Sequence, residues 1–135
     1  MTLTLTLREA PAATLRAEAI SPDRLAGLSQ AEIGRLELRH GNRPARLGDL
    51  FDVSGAGSDD VRVVGDLARV AGLGAGMTGG RLTVDGRAGP HTGAGMQDGE
   101  LIVEGDTDGW AGAEMSGGRL VVRGSAGRDA ERGGH

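Results

Sequence analysis

The chain opens on a strict alternation, Met1-Thr2-Leu3-Thr4-Leu5-Thr6-Leu7, which predicts a β-strand with Leu3, Leu5 and Leu7 on one face. Leu36-Glu37-Leu38 repeats that rhythm. Between them, Ser21-Pro22-Asp23 reads as a helix start. Ser29-Gln30-Ala31-Glu32 has the form of a capping box, in which a hydroxyl and a carboxylate each satisfy a backbone N–H that the first helical turn leaves unpaired. Gly41-Asn42 marks a turn ahead of Leu47, Leu50, Phe51 and Val53. Residues 1–58 therefore read as a small α+β N-terminal cap.

From residue 59 the pattern changes. Gly76-Met77-Thr78-Gly79-Gly80-Arg81-Leu82-Thr83-Val84-Asp85-Gly86 returns 19 residues later as Gly95-Met96-Gln97-Asp98-Gly99-Glu100-Leu101-Ile102-Val103-Glu104-Gly105. It returns again after another 19 as Glu114-Met115-Ser116-Gly117-Gly118-Arg119-Leu120-Val121-Val122-Arg123-Gly124. A degenerate copy, Val61-Arg62-Val63-Val64-Gly65, precedes the first by 21. One period-2 strand per repeat, closed by glycines, fits a parallel β-solenoid. Helical repeats need about 33 residues or more, and the Leu-x-x-Leu-x-Leu-x-x-Asn signature of leucine-rich repeats is missing.

The expected fold is an all-β repeat: a parallel right-handed β-helix of 19-residue coils over residues 59–127, following the cap and ending in an irregular tail at 128–135. Coils stacked about 4.8 Å apart bring identical positions together. Leu82, Val84, Leu101, Val103, Leu120 and Val122 then point inward with Met77, Met96 and Met115, while glycines, Gly86, Gly105 and Gly124 recurring among them, supply positive φ at the corners, where a Cβ would clash. Three columns point outward. Arg81, Glu100 and Arg119 alternate in sign, and Asp85, Glu104 and Arg123 end on an opposite charge. Thr83, Ile102 and Val121 turn apolar toward the C-terminal coils. Two readings of that stripe stand: β-branched residues suit strands, or the face docks on another chain. After Gly124 the column pattern breaks, Glu131 standing where Gly93 and Gly112 stood. A bare terminal coil exposes strand edge and interior, so either the chain continues or a partner covers it.

Composition sharpens this picture. Glycine is 26 of 135 residues, near a fifth, against a usual share of roughly 7%. One Trp, one Phe and no Tyr leave a thin aliphatic core. The absence of cysteine excludes disulfides, thiolate catalysis, iron–sulfur clusters and sulfur-ligated zinc. No apolar run approaches the ~20 residues of a membrane span, so the expectation is a cytoplasmic chain with no membrane partner. A net charge of −4, with every cation an Arg, gives no field for a phosphate backbone, and no nucleic-acid partner is expected.

Candidate chemistry is sparse. Gly74-Ala75-Gly76-Met77-Thr78-Gly79 satisfies the dinucleotide fingerprint, but a strand pattern follows where a helix should, and these glycines belong to the repeat. His40, His91 and His135 are far apart and lack a carboxylate at ligand spacing. His91 shares a column with Trp110 and Asp129, which reads as a coil corner. Ser54, Ser58, Ser116 and Ser125 have no nucleophile-elbow context. Asp106 and Asp108 read as turn formers with too few oxygens for calcium. No catalytic, cofactor-binding or metal residue is expected in this chain.

One resemblance is specific. Gly65 to Gly80, then Gly89-Pro90-His91-Thr92-Gly93 and Trp110-Ala111-Gly112-Ala113-Glu114-Met115-Ser116-Gly117-Gly118, resemble the C subunit of formylmethanofuran dehydrogenase and that of the bacterial formyltransferase/hydrolase complex. Ser21-Pro22-Asp23 and Gly48-Asp49-Leu50-Phe51-Asp52-Val53-Ser54-Gly55 resemble that family's N-terminal region. The glycine-repeat domain of glutamate synthase is similar in architecture but lacks this cap. The resemblance implies a non-catalytic β-helical scaffold in a multi-subunit complex that moves a formyl group between tetrahydromethanopterin and a methanofuran-type carrier. It implies partner chains that carry the chemistry: a formyltransferase chain and a zinc amidohydrolase-like chain, or a molybdenum- or tungsten-pterin chain with iron–sulfur proteins. The all-Arg usage favours the bacterial complex.

Overall fold

A computed structural model describes residues 2–9, 11, 13–55, 57–107, 112 and 114–124. It is mostly β, with two mixed sheets and a few short helices. In chain order these are β1 (Leu3–Leu7), β2 (Leu15–Arg16), α1 (Pro22–Leu25), α2 (Gln30–Gly34), β3 (Glu37–His40), β4 (Arg43–Arg46), α3 (Leu47–Leu50) and β5 (Phe51–Ser54). There follow β6 (Asp60–Val64), β7 (Val70–Ala71), β8 (Thr78–Asp85), β9 (Asp98–Val103) and β10 (Arg119–Val122).

The larger sheet runs β10-β9-β8-β6-β1-β5. Its repeat strands pair in parallel, Val61 opposite Leu82, Leu82 opposite Leu101 and Leu101 opposite Leu120, so the spacing along the chain is the register of the sheet. β8 carries one irregularity: Thr78 faces Asp98, but Arg81 faces Glu100, and Gly79-Gly80 absorb the extra residue as a bulge. β1 inserts beside β6 in parallel, Leu3 opposite Val61, and β5 closes that edge antiparallel. The alternation of β1 thus buries Leu3, Leu5 and Leu7 on the same side as Val61 and Val63.

The smaller sheet, β4-β3-β2-β7, is built on the hairpin that Gly41-Asn42 turns, with β2 antiparallel to β3 and parallel to β7. The capping box of α2 forms in full: Glu32 N–H donates to Ser29 Oγ at 3.2 Å and Ser29 N–H to Glu32 Oε1 at 3.0 Å. Gln30 Nε2 then donates to the Val53 carbonyl at 2.8 Å, fastening α2 to β5. Ser21 precedes α1 as expected, without a side-chain capping bond.

Outside the strands the turns also stack. Leu67, Ala88 and Thr107 form a line of parallel bridges, Gly93 N–H donates to the Leu73 carbonyl and Gly112 N–H to that of Thr92, both at 2.8 Å. A single apolar cluster extends from Leu3 through Phe51, Leu67, Leu73, Met77 and Met96 to Leu120, so the N-terminal segment and the repeats share one core. Full burial of each such side chain contributes about 1.5–3 kcal/mol.

The glycines meet the expectation in part. Of Gly86, Gly105 and Gly124, Gly86 alone has the expected positive φ, at 141°. At all three the expected clash of a Cβ is present: each lies against the backbone of the preceding rung. A Cβ on Gly86 would fall on the Gly65 carbonyl oxygen, one on Gly105 would sit 2.5 Å from the Gly86 oxygen, and one on Gly124 2.6 Å from the Gly105 carbonyl. Trp110, Asp129, Glu131, His135 and the tail at 128–135 lie outside the described residues.

Candidate functional site

Alternation along the repeat strands divides the sequence-predicted residues into two sets. Met77, Met96, Leu82 and Leu101 are fully buried, Leu120 nearly so, and Met115 is half-buried against the same core. Thr83, Ile102 and Val121 project from the opposite face, half-buried and in mutual register, continuing a row that begins with Thr4 and Arg62. The row runs from polar at β1 to apolar at β10.

Charged rails flank it. On one side Glu100 accepts from Arg81 Nε at 2.9 Å and lies 3.7 Å from Arg119. On the other stand Asp85, which Arg62 of the row itself reaches at 3.3 Å, and Glu104, paired with Arg123 at 2.7 Å. These pairs are solvent-exposed and contribute about 0–1 kcal/mol each. Their effect is geometric: they hold long side chains along the rungs and leave the β-branched row open between them. At the β10 end, Arg119 and Arg123 side chains are 71% and 62% exposed.

The remaining candidates do not converge. Gly74 and Gly76 turn directly into β8, so the G-x-G-x-x-G segment opens no helix. His91 is exposed at a turn with φ 60°, and His40 ends β3 in the smaller sheet. Among the described residues no three His, Cys, Asp or Glu side chains are grouped to hold a metal ion, and no helix is long and apolar enough to cross a membrane. The Glu32 carboxyl is held below its ordinary value, chiefly by the Ser29 backbone N–H and then by the Ser29 hydroxyl, which is the capping box again.

Sequence reading missed the surface hollows. One of about 500 Å³ is lined by Thr14, Arg16, Arg39, Gly41 and Asn42, and one of about 410 Å³ by Arg35, Glu37, Pro44, Ala45, Arg46 and Asp49. Both depend on which strands pair in the smaller sheet, and nothing local in the chain announces that.

No protein-family model matches the chain. Individual relatives do. The C subunit of the tungsten-containing formylmethanofuran dehydrogenase 2 of Methanothermobacter thermautotrophicus is 40% identical over 87 residues, 61% of this chain and 32% of that protein. Its counterpart in the molybdenum-containing formylmethanofuran dehydrogenase 1 of Methanosarcina barkeri is 42% identical over 82 residues, 57% of this chain and 27% of that one. The C subunit of the formyltransferase/hydrolase complex Fhc of Methylorubrum extorquens is 40% identical over 70 residues, 52% and 26%. In three dimensions the chain matches one chain in the X-ray structure of the formyltransferase/hydrolase complex FhcABCD from Methylorubrum extorquens, with a TM-score of 0.85 at 35% identity. The chain is thus similar, over part of their length, to C subunits of formylmethanofuran dehydrogenases and of a formyltransferase/hydrolase complex.

The structural match covers 92% of this chain and 47% of the crystallised one, whose complex was solved with methylofuran. The chain spans about a quarter to a third of the length of these curated C subunits and about half of the crystallised one. Because the match covers nearly all of this chain, it takes in the N-terminal segment as well as the glycine repeats.

Proposed function

We propose that the chain serves as the C subunit of a formyltransferase/hydrolase complex in tetrahydromethanopterin- and methanofuran-dependent one-carbon metabolism, the oxidation of formaldehyde to formate. Its role there is a cytoplasmic, non-catalytic scaffold: a right-handed parallel β-helix whose outer face carries the catalytic chains. The observation that carries the reading is the close structural match to a chain of the assembled Methylorubrum extorquens complex. Parallel strands recurring every 19 residues, with turns stacked beside them, support the helical winding, and the hand follows the right-handed rule for parallel crossovers.

In this reading the interior is occupied by aliphatic rungs, and the chemistry belongs to a formyltransferase chain and a zinc amidohydrolase-like chain. The methanofuran-type carrier, tetrahydromethanopterin and zinc are bound by those partners. Thr83, Ile102 and Val121 form the docking row, because a β-branched strip between fixed ion pairs is what a partner strand or helix can cover without stripping charges of their counter-ions. A second reading, the C subunit of a molybdenum or tungsten formylmethanofuran dehydrogenase, is favoured by the dehydrogenase relatives, whose identities of 40% and 42% match the 40% of the Fhc relative.

The test is purification of the tagged chain from its native cells, mass identification of what accompanies it, and assay of formyl transfer and hydrolysis. The expected result is co-purification with formyltransferase and amidohydrolase-type chains, with activity in the assembly and none in the chain alone. A pterin-metal chain in their place selects the dehydrogenase reading. Turnover by the isolated chain overturns both.

A further inference from the structure

The smaller sheet presents a second surface, on different elements from the docking row. β2 and β3 pair antiparallel with Arg16 directly opposite Arg39. Cross-strand neighbours of this kind lie about 4.5–5.5 Å apart at Cβ, where like charges repel. The register continues one step further, Gly41 N–H donating to the Thr14 carbonyl at 2.9 Å. Alternation therefore puts Thr14 and Arg16 of one strand on the same face as Arg39 and Gly41 of the other. These four, with Asn42 of the turn, line the hollow of about 500 Å³.

Every side chain around that hollow offers donors. Two guanidiniums bring five N–H groups each, Thr14 a hydroxyl and Asn42 an amide, and no lining residue is acidic. Five arginines elsewhere are paired. Arg8, Arg62, Arg81, Arg119 and Arg123 each reach a carboxylate within 4 Å. Among the described residues Arg16 and Arg39 reach none, as is also true of Arg24, Arg35, Arg43, Arg46 and Arg87; what sets the pair apart is that they stand opposite each other across two strands at one hollow. Glu37, two positions from Arg39 on β3, sits in register with Arg46 and lines the neighbouring hollow. In a chain of net charge −4 the missing counter-charge is not a matter of supply.

We propose that this hollow is an oxyanion-binding site that takes the phosphate or carboxylate group of a small molecule between the Arg16 and Arg39 guanidiniums, with the Thr14 hydroxyl and Asn42 amide at its rim. Paired guanidiniums suit such a group because their planar forks give bidentate, charge-assisted hydrogen bonds. The site does not rest on the proposed function, since it is argued from the pairing of β2 with β3 alone.

The full chain is titrated at low ionic strength with inorganic phosphate and separately with glutarate, following backbone amide shifts and the melting temperature. The expected result is saturable shifts centred on Thr14, Gly41 and Asn42 and a rise in melting temperature with at least one of the two anions. Affinity falls at least tenfold in Arg16→Gln and Arg39→Gln, and is unchanged in Arg123→Gln, which removes the same charge elsewhere. Saturation by phosphate alone assigns a phosphate group, and saturation by glutarate alone assigns a carboxylate. Without anion, the two site variants melt at or above the parent, because each relieves a repulsion. Shifts that never saturate, or that survive unchanged in Arg39→Gln, overturn the proposal.

Discussion

The two sheets handle charge in opposite ways. In the six-stranded sheet neighbouring repeat strands are copies of one another, paired at the repeat spacing, so each outward residue meets its own counterpart: Arg81, Glu100 and Arg119 meet in line, with Glu100 shared between the two arginines. In the four-stranded sheet the pairing of β2 with β3 is antiparallel and joins residues of no repeat relation, and Arg16 lands opposite Arg39. Periodic register lets a sequence balance its charges by alternating sign once per coil. The aperiodic sheet has no such device, and its excess charge faces outward toward whatever can meet it.

This contrast can be broken or sharpened by substitution. The largest effect is expected in the glycine ladder of the repeats. Gly86→Ala combines a strained positive φ with a Cβ driven onto the Gly65 carbonyl, about 4 kcal/mol from the two sources together. Gly79→Ala, which has open space around it, should cost no more than about 1 kcal/mol. Urea unfolding of the pair measures the difference. Next comes Leu101→Ala, which empties the inward column between Leu82 and Leu120 and should cost about 2–5 kcal/mol. If calorimetry shows less than about 1 kcal/mol, the rungs are not packed as described.

The charge comparison itself predicts a change of sign. Glu100→Gln leaves Arg81 and Arg119 on either side of a neutral residue, without their shared counter-charge, and should destabilise by about 0.5–1 kcal/mol. Arg39→Gln, in the other sheet, should be neutral or stabilising by about 0.2–0.5 kcal/mol. High salt should shrink both effects, since both pairs are exposed. The smallest effect concerns pH. Because folding lowers the Glu32 carboxyl below its ordinary value, its capping contribution is present above that value and is lost as pH falls through the folded-state value. Glu32→Gln should remove that part of the acid-side dependence, visible as flatter melting temperatures on the acid side of neutrality.

Much of the architecture was legible because it is local. The alternation of Met1 to Leu7, the Ser29 and Glu32 spacing and the Gly41-Asn42 turn each specify their element within a few residues, and each element forms. The repeat strands were legible for a related reason: translational copies read as a period. The two-residue strands β2 and β7 were not, since Leu15–Arg16 and Val70–Ala71 are too short to carry a pattern and exist only by pairing with remote segments. Of the candidate surface, the row of Thr83, Ile102 and Val121 followed from the period, whereas the Arg16 and Arg39 hollow did not, because 22 intervening residues hide a contact that the pairing of β2 with β3 creates.

By itself the sequence determined the rung: which residues face inward, which face out, and that 19 positions separate equivalents, since alternation and repetition are properties of the chain alone. Only the tertiary structure decided that β1 enters beside β6, that Gly105 and Gly124 meet the preceding rung without a positive φ, and that two arginines meet across β2 and β3. Those outcomes depend on distances between segments remote in sequence, which are fixed when the whole core closes and by no shorter stretch of the chain.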